Sequence, residues 1–148
     1  MHTFTSAIFH CVFATKNREP LLAPELCARL YPYLGGIARE HAMKILAIGG
    51  VADHLHILLS LPATLSVAKA MQLLKGNSSK WMHETFPQLG RFAWQEGYGA
   101  FSIGRGGVAE TRAYIKNQAE HHRERGYREE VAAFLRRHGL AFDDSMLG

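Results

Sequence analysis

Two histidines separated by a single residue, His54 and His56, form the pattern in this sequence with the most direct chemical use. They lie in the segment Asp53 to Leu61, Asp-His-Leu-His-Ile-Leu-Leu-Ser-Leu, which is typical of a β-strand. Because side chains two apart on a strand point to the same side, the two imidazoles can hold one divalent cation between them. The alternative is a structural role, since the chain has nine histidines and such a triplet arises readily by chance.

A second group of polar side chains follows helical spacing nearer the end of the chain. The pattern from Val108 to about His122 predicts a helix that carries four polar groups on one face: Tyr114, Asn117, Gln118 and His121. A tyrosine hydroxyl can attack phosphorus as a nucleophile, and a glutamine oxygen can join two imidazoles around a cation. Together with the histidine pair, this face indicates metal-assisted chemistry on a phosphate.

The elements that must position these groups follow from hydrophobic periodicity. The pattern predicts strands over residues 3–14, 43–48, 53–61 and 98–103, and helices over 24–41, 67–82, 108–122 and 129–138. This order is that of an α+β fold, the ferredoxin-like βαββαβ arrangement, with helices on one face of an antiparallel sheet and an added C-terminal helix. In that fold the first and third strands are neighbours at the centre of the sheet, so we expect His10 of the first strand near the histidine pair. For His10 a structural role is favoured over a role in the site.

Composition places the chain among ordinary globular proteins. Its 148 residues, 47% of them hydrophobic, suffice for one domain, with a core over about 3–122 and a C-terminal helix and tail over 127–148. Lys and Arg outnumber Asp and Glu by 17 to 13, which favours polyanionic partners only mildly. With no signal peptide, no apolar run long enough for a membrane span and two cysteines expected to be reduced, we expect a soluble cytoplasmic protein.

The histidine pair and the polar helix face that carries Tyr114 and Gln118 resemble motifs of the HUH tyrosine transposases. These enzymes move single-stranded DNA insertion sequences, and they include the REP-associated tyrosine transposases of bacteria. The Asp-His-hydrophobic-His setting of His54 and His56 matches the histidine motif of that family. Four further stretches match in the same order: Phe13-Ala14-Thr15-Lys16-Asn17-Arg18, Leu74-Lys75-Gly76-Asn77-Ser78-Ser79, the residues from Trp94 to Tyr98, and Tyr114-Ile115-Lys116-Asn117-Gln118. The resemblance spans about residues 5–122, and the five loose motifs are specific when taken together.

The resemblance implies a metal-dependent nuclease and strand transferase. Tyr114 would attack a phosphodiester of single-stranded, hairpin-forming DNA and leave a 5′-phosphotyrosine link, while His54, His56 and Gln118 would hold Mg²⁺ or Mn²⁺. Members of the family work as homodimers in which a tyrosine helix can serve the partner's histidines, and the glycines over 104–107 lie where such a helix would swing. The first candidates for DNA contacts are Lys16, Arg18, Lys75, Lys80 and Arg105.

Two other functions are compatible with the same residues. A domesticated relative could keep the fold as a non-catalytic binder of single-stranded nucleic acid, since ferredoxin-like sheets are common nucleic-acid platforms. A metal-dependent phosphodiesterase could instead use water as the nucleophile, with Tyr114 structural and no covalent intermediate. The nucleophile is therefore what distinguishes the three hypotheses.

Overall fold

The structure, a computed structural model, describes residues 2–118 and 126–147 of the chain. Its elements are β1 (Ile8–Ala14), α1 (Pro24–Glu40), β2 (Lys44–Val51), β3 (His54–Ser60), α2 (Val67–Thr85), β4 (Gly99–Ile103), α3 (Val108–Lys116) and α4 (Tyr127–Arg137). The four strands form one antiparallel sheet in the order β2-β3-β1-β4, which confirms the predicted ferredoxin-like α+β fold. The predicted continuation of α3 to His122, with His121 on its polar face, lies outside the described residues.

Local sequence accounts for where the two long helices begin. Helix α1 has Pro24 in its first turn, where a missing backbone N–H costs nothing, and it runs through Pro32 without splitting in two. Helix α2 is capped by Ser66, whose hydroxyl accepts a hydrogen bond of 3.1 Å from the backbone N–H of Lys69.

Helices cover both faces of the sheet, which corrects the predicted placement of helices on one face, because α3 as well as the added α4 packs on the opposite side. Helices α1 and α2 pack on the face formed by alternate residues of β1 and β3, among them Cys11, Phe13, Leu55, Ile57 and Leu59. The opposite face contacts α3 and α4, through a second set of buried residues that includes Val12, Leu58, Phe101, Ile115 and Phe134. Because His54 and His56 alternate with the first set, both imidazoles point toward α3 and α4.

The chain end packs closer to the domain than its acidic composition suggested. A short 3₁₀ turn, Asp144–Leu147, follows α4, and its last side chain is buried. The buried Leu147 side chain therefore holds this turn against the domain. Within the described ranges, none of the helices combines the length and apolar character that crossing a membrane requires.

Gly49 allows α3 to approach the sheet closely. It is the register partner of His56, and a Cβ atom placed on Gly49 would clash with the backbone oxygen of Ile115, the residue after Tyr114. A methyl group there must push the helix backbone away, so we expect Gly49→Ala to lower the free energy of unfolding by about 1–3 kcal/mol. Urea denaturation followed by circular dichroism measures this loss.

Gly76 provides the matched control for that substitution. It is an exposed position within α2, and a Cβ atom added there meets no heavy atom within 4 Å. Since alanine is the better helix former, Gly76→Ala should raise the unfolding free energy by up to about 1 kcal/mol. Equal effects of the two substitutions would contradict a close helix approach at Gly49.

Candidate active site

The two histidines of β3 are completely buried beneath α3 and α4. His54 and His56 are each 0% exposed, and their ring centroids lie 5.1 Å apart on the same face of the sheet. The strand alternation predicted from the sequence therefore brings both imidazoles to one place.

A carboxylate of α4 lies between the two imidazoles. Glu130 is 1% exposed, with its Oε2 at 3.2 Å from His54 Nε2 and its Oε1 at 3.2 Å from His56 Nε2. The three residues offer ligand atoms that all lie within 4.8 Å of one another. Two imidazoles and a carboxylate are donors that divalent cations accept in proteins, so this cluster can hold a divalent metal ion.

The sequence reasoning missed Glu130. The hydrophobic pattern predicts a helix over 129–138 but assigns no role to the acidic residue near its start. The available signal was that Glu130 precedes Phe134 by four residues, which places a carboxylate on the face that the helix buries. A buried carboxylate requires partners, and this helix position pointed toward a site.

Each imidazole is oriented by a second hydrogen bond at its other nitrogen. His54 Nδ1 lies 2.8 Å from Asp53 Oδ1, and His56 Nδ1 lies 2.7 Å from His10 Nε2. These bonds turn both Nε2 atoms toward Glu130, which is how metal-binding histidines are commonly held. The sequence left open the side on which His10 lies, and the structure places it on the histidine face as a support for His56.

The site favours a neutral His10 and an ionised Glu130. Burial, reinforced by the neighbouring His56, lowers the pKa of His10 to about 3, so its ring is an uncharged hydrogen-bond partner. Burial opposes a charge on Glu130, but hydrogen bonds from His54 and His56 outweigh that effect and hold its pKa below the usual range. Burial also opposes a charge on His54, and its bonds to Asp53 and Glu130 outweigh it, so its pKa is raised.

Tyr114 of α3 reaches the same cluster. Its hydroxyl donates a hydrogen bond to Glu130 Oε1, and its ring centroid lies 5.8 Å from that of His56 and 6.0 Å from that of His10. The side chain is half-buried, whereas the imidazoles are closed off. In this structure, the tyrosine therefore lies beside the histidines of its own chain.

Gln118 completes the group of residues that the sequence predicted for the site. It is 2% exposed, and its Nε2 lies 3.3 Å from Glu130 Oε1. Its Oε1 is buried and has no hydrogen-bond partner among the residues in the described parts of the chain. Buried oxygens without partners are uncommon, and a cation held with His54 and His56 would satisfy this one. The donor set therefore fits a divalent metal.

Of the five cations predicted to contact DNA, Lys75 is engaged within the protein. Its Nζ donates to the carbonyl oxygens of Gln95 and Gly97, at 2.7 and 2.6 Å. In the same part of the fold, Trp94 Nε1 donates to the buried hydroxyl of Ser78 at 3.0 Å. The α2 segment that we expected to contact phosphate thus also holds the loop before β4 in place.

The other four predicted cations are distributed over separate parts of the surface. Lys16, Lys80 and Arg105 are exposed, while Arg18 is half-buried. Lys16 and Arg18 line a cleft of about 260 Å³ with Tyr127 of α4. The ring of Tyr127 lies 5.0 Å from that of His54, so one wall of this cleft contacts the histidine cluster.

Comparison with known proteins gives concordant matches. The family model described as "Transposase IS200 like" matches residues 3–118. The transposase of insertion sequence element IS200 from Salmonella typhimurium is 33% identical over 124 residues, which are 80% of this chain and 81% of that protein. The ISDra2 transposase TnpA from Deinococcus radiodurans is 26% identical over 115 residues, covering 74% of this chain and 82% of its own.

Two solved structures share the fold. A candidate transposase from Deinococcus radiodurans superposes with a TM-score of 0.64 at 25% identity, covering 80% of this chain and 95% of that one. A REP-associated tyrosine transposase bound to a REP hairpin superposes with a TM-score of 0.60 over 79% of this chain and 69% of that one. The second is only 15% identical, so it supports the architecture alone.

Proposed function

The chain belongs to the IS200-like transposase family, and we therefore propose that it cleaves and rejoins single-stranded DNA through a covalent bond to Tyr114. A DNA-processing enzyme follows from the family, whereas the strand type, the nucleophile and the metal are parts of the proposal. The observation that carries it is the hydrogen bond from the Tyr114 hydroxyl into the cluster of His54, His56 and Glu130. A tyrosine hydroxyl and three candidate cation ligands thus lie together, which supports the proposed chemistry.

In the proposed reaction, one phosphodiester is exchanged for another. The Tyr114 oxygen forms a bond to the phosphorus and loses its proton to solvent. The bond from phosphorus to the 3′ oxygen of the upstream nucleotide breaks, and that oxygen leaves with the electron pair and takes up a proton. The products are a 5′-phosphotyrosine ester and a free 3′-hydroxyl, which can attack the ester to restore a DNA linkage. No external energy source is needed, because the number of phosphate ester bonds is unchanged.

The residues of the chain prepare this step in three ways. His54, His56 and Gln118 would hold Mg²⁺ or Mn²⁺, which when bound supplies positive charge that polarises the phosphate and stabilises the leaving oxygen. Asp53 and His10 keep the two imidazoles oriented. A free tyrosine has a pKa near 10, so the positive charge of the bound cation would be what favours the reactive phenolate beside the carboxylate of Glu130.

The proposed partners are single-stranded DNA and a second copy of the chain. A solved structural neighbour is described as bound to a REP hairpin, which supports a hairpin-forming substrate here. Exposed Lys16, Lys80 and Arg105, together with Arg18, are the proposed phosphate contacts, whereas Lys75 would have to give up its internal bonds. We extend the proposal to a homodimer that acts on chromosomal DNA, with residues 104–107 as the hinge of the tyrosine helix.

The experiment that tests this function follows the polarity of the covalent bond. The protein is incubated with Mn²⁺ and single-stranded oligonucleotides from the hairpin-rich flanks of its own gene, labelled at either the 5′ or the 3′ end. On a denaturing gel, the 3′-labelled DNA should migrate slowly with the protein, and the 5′-labelled DNA should give only a shorter free fragment.

The other outcomes identify the two remaining hypotheses. Cleavage of both labelled strands without a slow band would show a phosphodiesterase that uses water as the nucleophile. Retarded DNA on a native gel, with no cleavage of any flanking sequence, would show a non-catalytic binder. A slow band from the 5′-labelled DNA would contradict the proposed polarity, since the protein would then be attached to the upstream fragment.

A further inference from the structure

We propose that Glu130 is a ligand of the bound metal, so that α4 forms one wall of the metal centre. This inference rests on the proposed function, which places the cation at His54 and His56. It adds a carboxylate to the metal ligands that the family resemblance implies. This carboxylate comes from α4, which lies beyond residues 3–118, the part of the chain that the family model matches. The bound metal would then connect the family-matched residues 3–118 to α4, which follows them in the chain.

The distances around Glu130 are those expected between neighbouring ligands of one ion. With bonds of about 2.1 Å, ligand atoms at right angles around Mg²⁺ lie about 3 Å apart. Each carboxylate oxygen of Glu130 lies 3.2 Å from one histidine Nε2. A cation can therefore enter among these atoms with small displacements of the side chains, and the carboxylate does not have to leave.

Helix α4 is anchored on both sides of Glu130. Three residues before it, the hydroxyl of Tyr127 donates a hydrogen bond of 2.7 Å to Gln95 Oε1. Four residues after it, the ring of Phe134 lies 4.9 Å from the ring of His10. Because contacts one turn away on either side hold the helix, Glu130 has a defined position before any ion binds, which lowers the entropy cost of binding.

A buried carboxylate in the first turn of α4 requires hydrogen bonds and positive charge around it. Glu130 is 1% exposed and faces two imidazoles, a phenol hydroxyl and an amide N–H. A divalent cation would neutralise the carboxylate and engage the buried Gln118 oxygen at the same time. Metal binding and helix docking should consequently strengthen each other by the same factor, since their coupling is reciprocal.

If Glu130 competes with the metal ion instead of binding it, removing its carboxylate should have the opposite effect on metal affinity. If its carboxylate fills the cluster in place of the ion, removing it should free the histidines and tighten metal binding. If it is a ligand, removing it should weaken binding by at least about tenfold, the lower end of what supporting groups around metal ligands contribute. The sign of the change in affinity therefore decides between a ligand and a competitor.

The experiment measures Mn²⁺ affinity directly, by the loss of the free-ion electron paramagnetic resonance signal, without DNA. We expect Glu130→Ala and Glu130→Gln each to bind Mn²⁺ at least about tenfold more weakly than the wild type. Glu129→Gln is the matched control, because it removes the same charge from an exposed position of the same helix, and it should stay within about twofold. Unchanged or tighter binding by both Glu130 variants would overturn the inference.

His54→Ala in the same assay separates this inference from the proposed function. Equal Mn²⁺ binding by the wild type and the Glu130 variants, together with loss of binding in His54→Ala, would overturn only the ligand role of Glu130. Absence of Mn²⁺ binding by the wild type would overturn the metal part of the proposed function as well.

A second measurement is independent of whether Glu130→Ala folds fully. Hydrogen exchange of the α4 amides in the wild type should slow when Mn²⁺ is added, because ion binding stabilises the docked helix. At a Mn²⁺ concentration that saturates the wild type but not the variant, the isosteric Glu130→Gln should show less slowing. Exchange in α4 that is insensitive to Mn²⁺ in the wild type would contradict the coupling.

Discussion

Tyr114→Phe is expected to abolish the covalent protein–DNA complex and to lower DNA cleavage on the order of a thousandfold or more. The substitution keeps the ring that packs near His10 and His56 and removes only the oxygen that would attack the phosphorus. A denaturing gel with 3′-labelled DNA measures both the covalent band and the cleaved fragment.

Two controls separate this chemical effect from a structural one. The lost hydroxyl donates to buried Glu130, so Tyr114→Phe should also cost about 1–3 kcal/mol of stability, which urea denaturation measures independently. Tyr98→Phe removes the hydroxyl of an exposed tyrosine just before β4 and should leave the covalent band unchanged. A covalent band that persists in Tyr114→Phe would locate the nucleophile elsewhere.

His54→Ala should abolish both cleavage and Mn²⁺ binding while the sheet stays folded. Its imidazole contacts Glu130 and is held by Asp53, so its loss removes one proposed ligand together with the bond that orients it. Mn²⁺ affinity and DNA cleavage are measured on the same preparation, with circular dichroism to establish the folded fraction. Full cleavage by His54→Ala would contradict a metal held at this position.

The expected stability change sets the conditions for that measurement. Removing His54 leaves the buried carboxylate of Glu130 with fewer partners, which costs about 1–3 kcal/mol and calls for assays well below the melting temperature. His41→Ala is the matched control, because His41 is exposed at the end of α1. It should leave cleavage, Mn²⁺ binding and stability close to those of the wild type.

Local sequence determined the elements and the strand order that follows from them. Alternation along β3 placed His54 and His56 on one face, and the spacing of Tyr114 and Gln118 by four residues placed both on one side of the tyrosine helix. These predictions depended on neighbours within a few residues, where strand and helix geometry leaves little choice. The succession βαββαβ then sufficed to indicate a ferredoxin-like sheet with β1 beside β3.

Helix packing, in contrast, could not be deduced from local periodicity. The pattern indicated that α4 has an apolar stripe, but it did not indicate that this stripe covers the histidine face of the sheet. Similarly, Lys75 reads as a free surface cation, whereas its ammonium bonds to carbonyl oxygens of residues twenty or more positions away. The sequence alone does not distinguish a lysine that bonds within the protein from a lysine that is available to a ligand.

The sequence by itself determined the chemical types in the site: two imidazoles, a phenol and an amide, at spacings that bring each pair to one side of its element. Only the tertiary structure decided that His10 supports His56, which is 46 residues away in the chain. It also decided that Glu130 lies between the imidazoles, although it is 76 residues from His54. The physical reason is that strand register and helix docking are set by the summed burial of many side chains. That summed burial cannot be deduced from any short stretch of sequence. It nevertheless brings each of these distant pairs of side-chain atoms to within 3.2 Å.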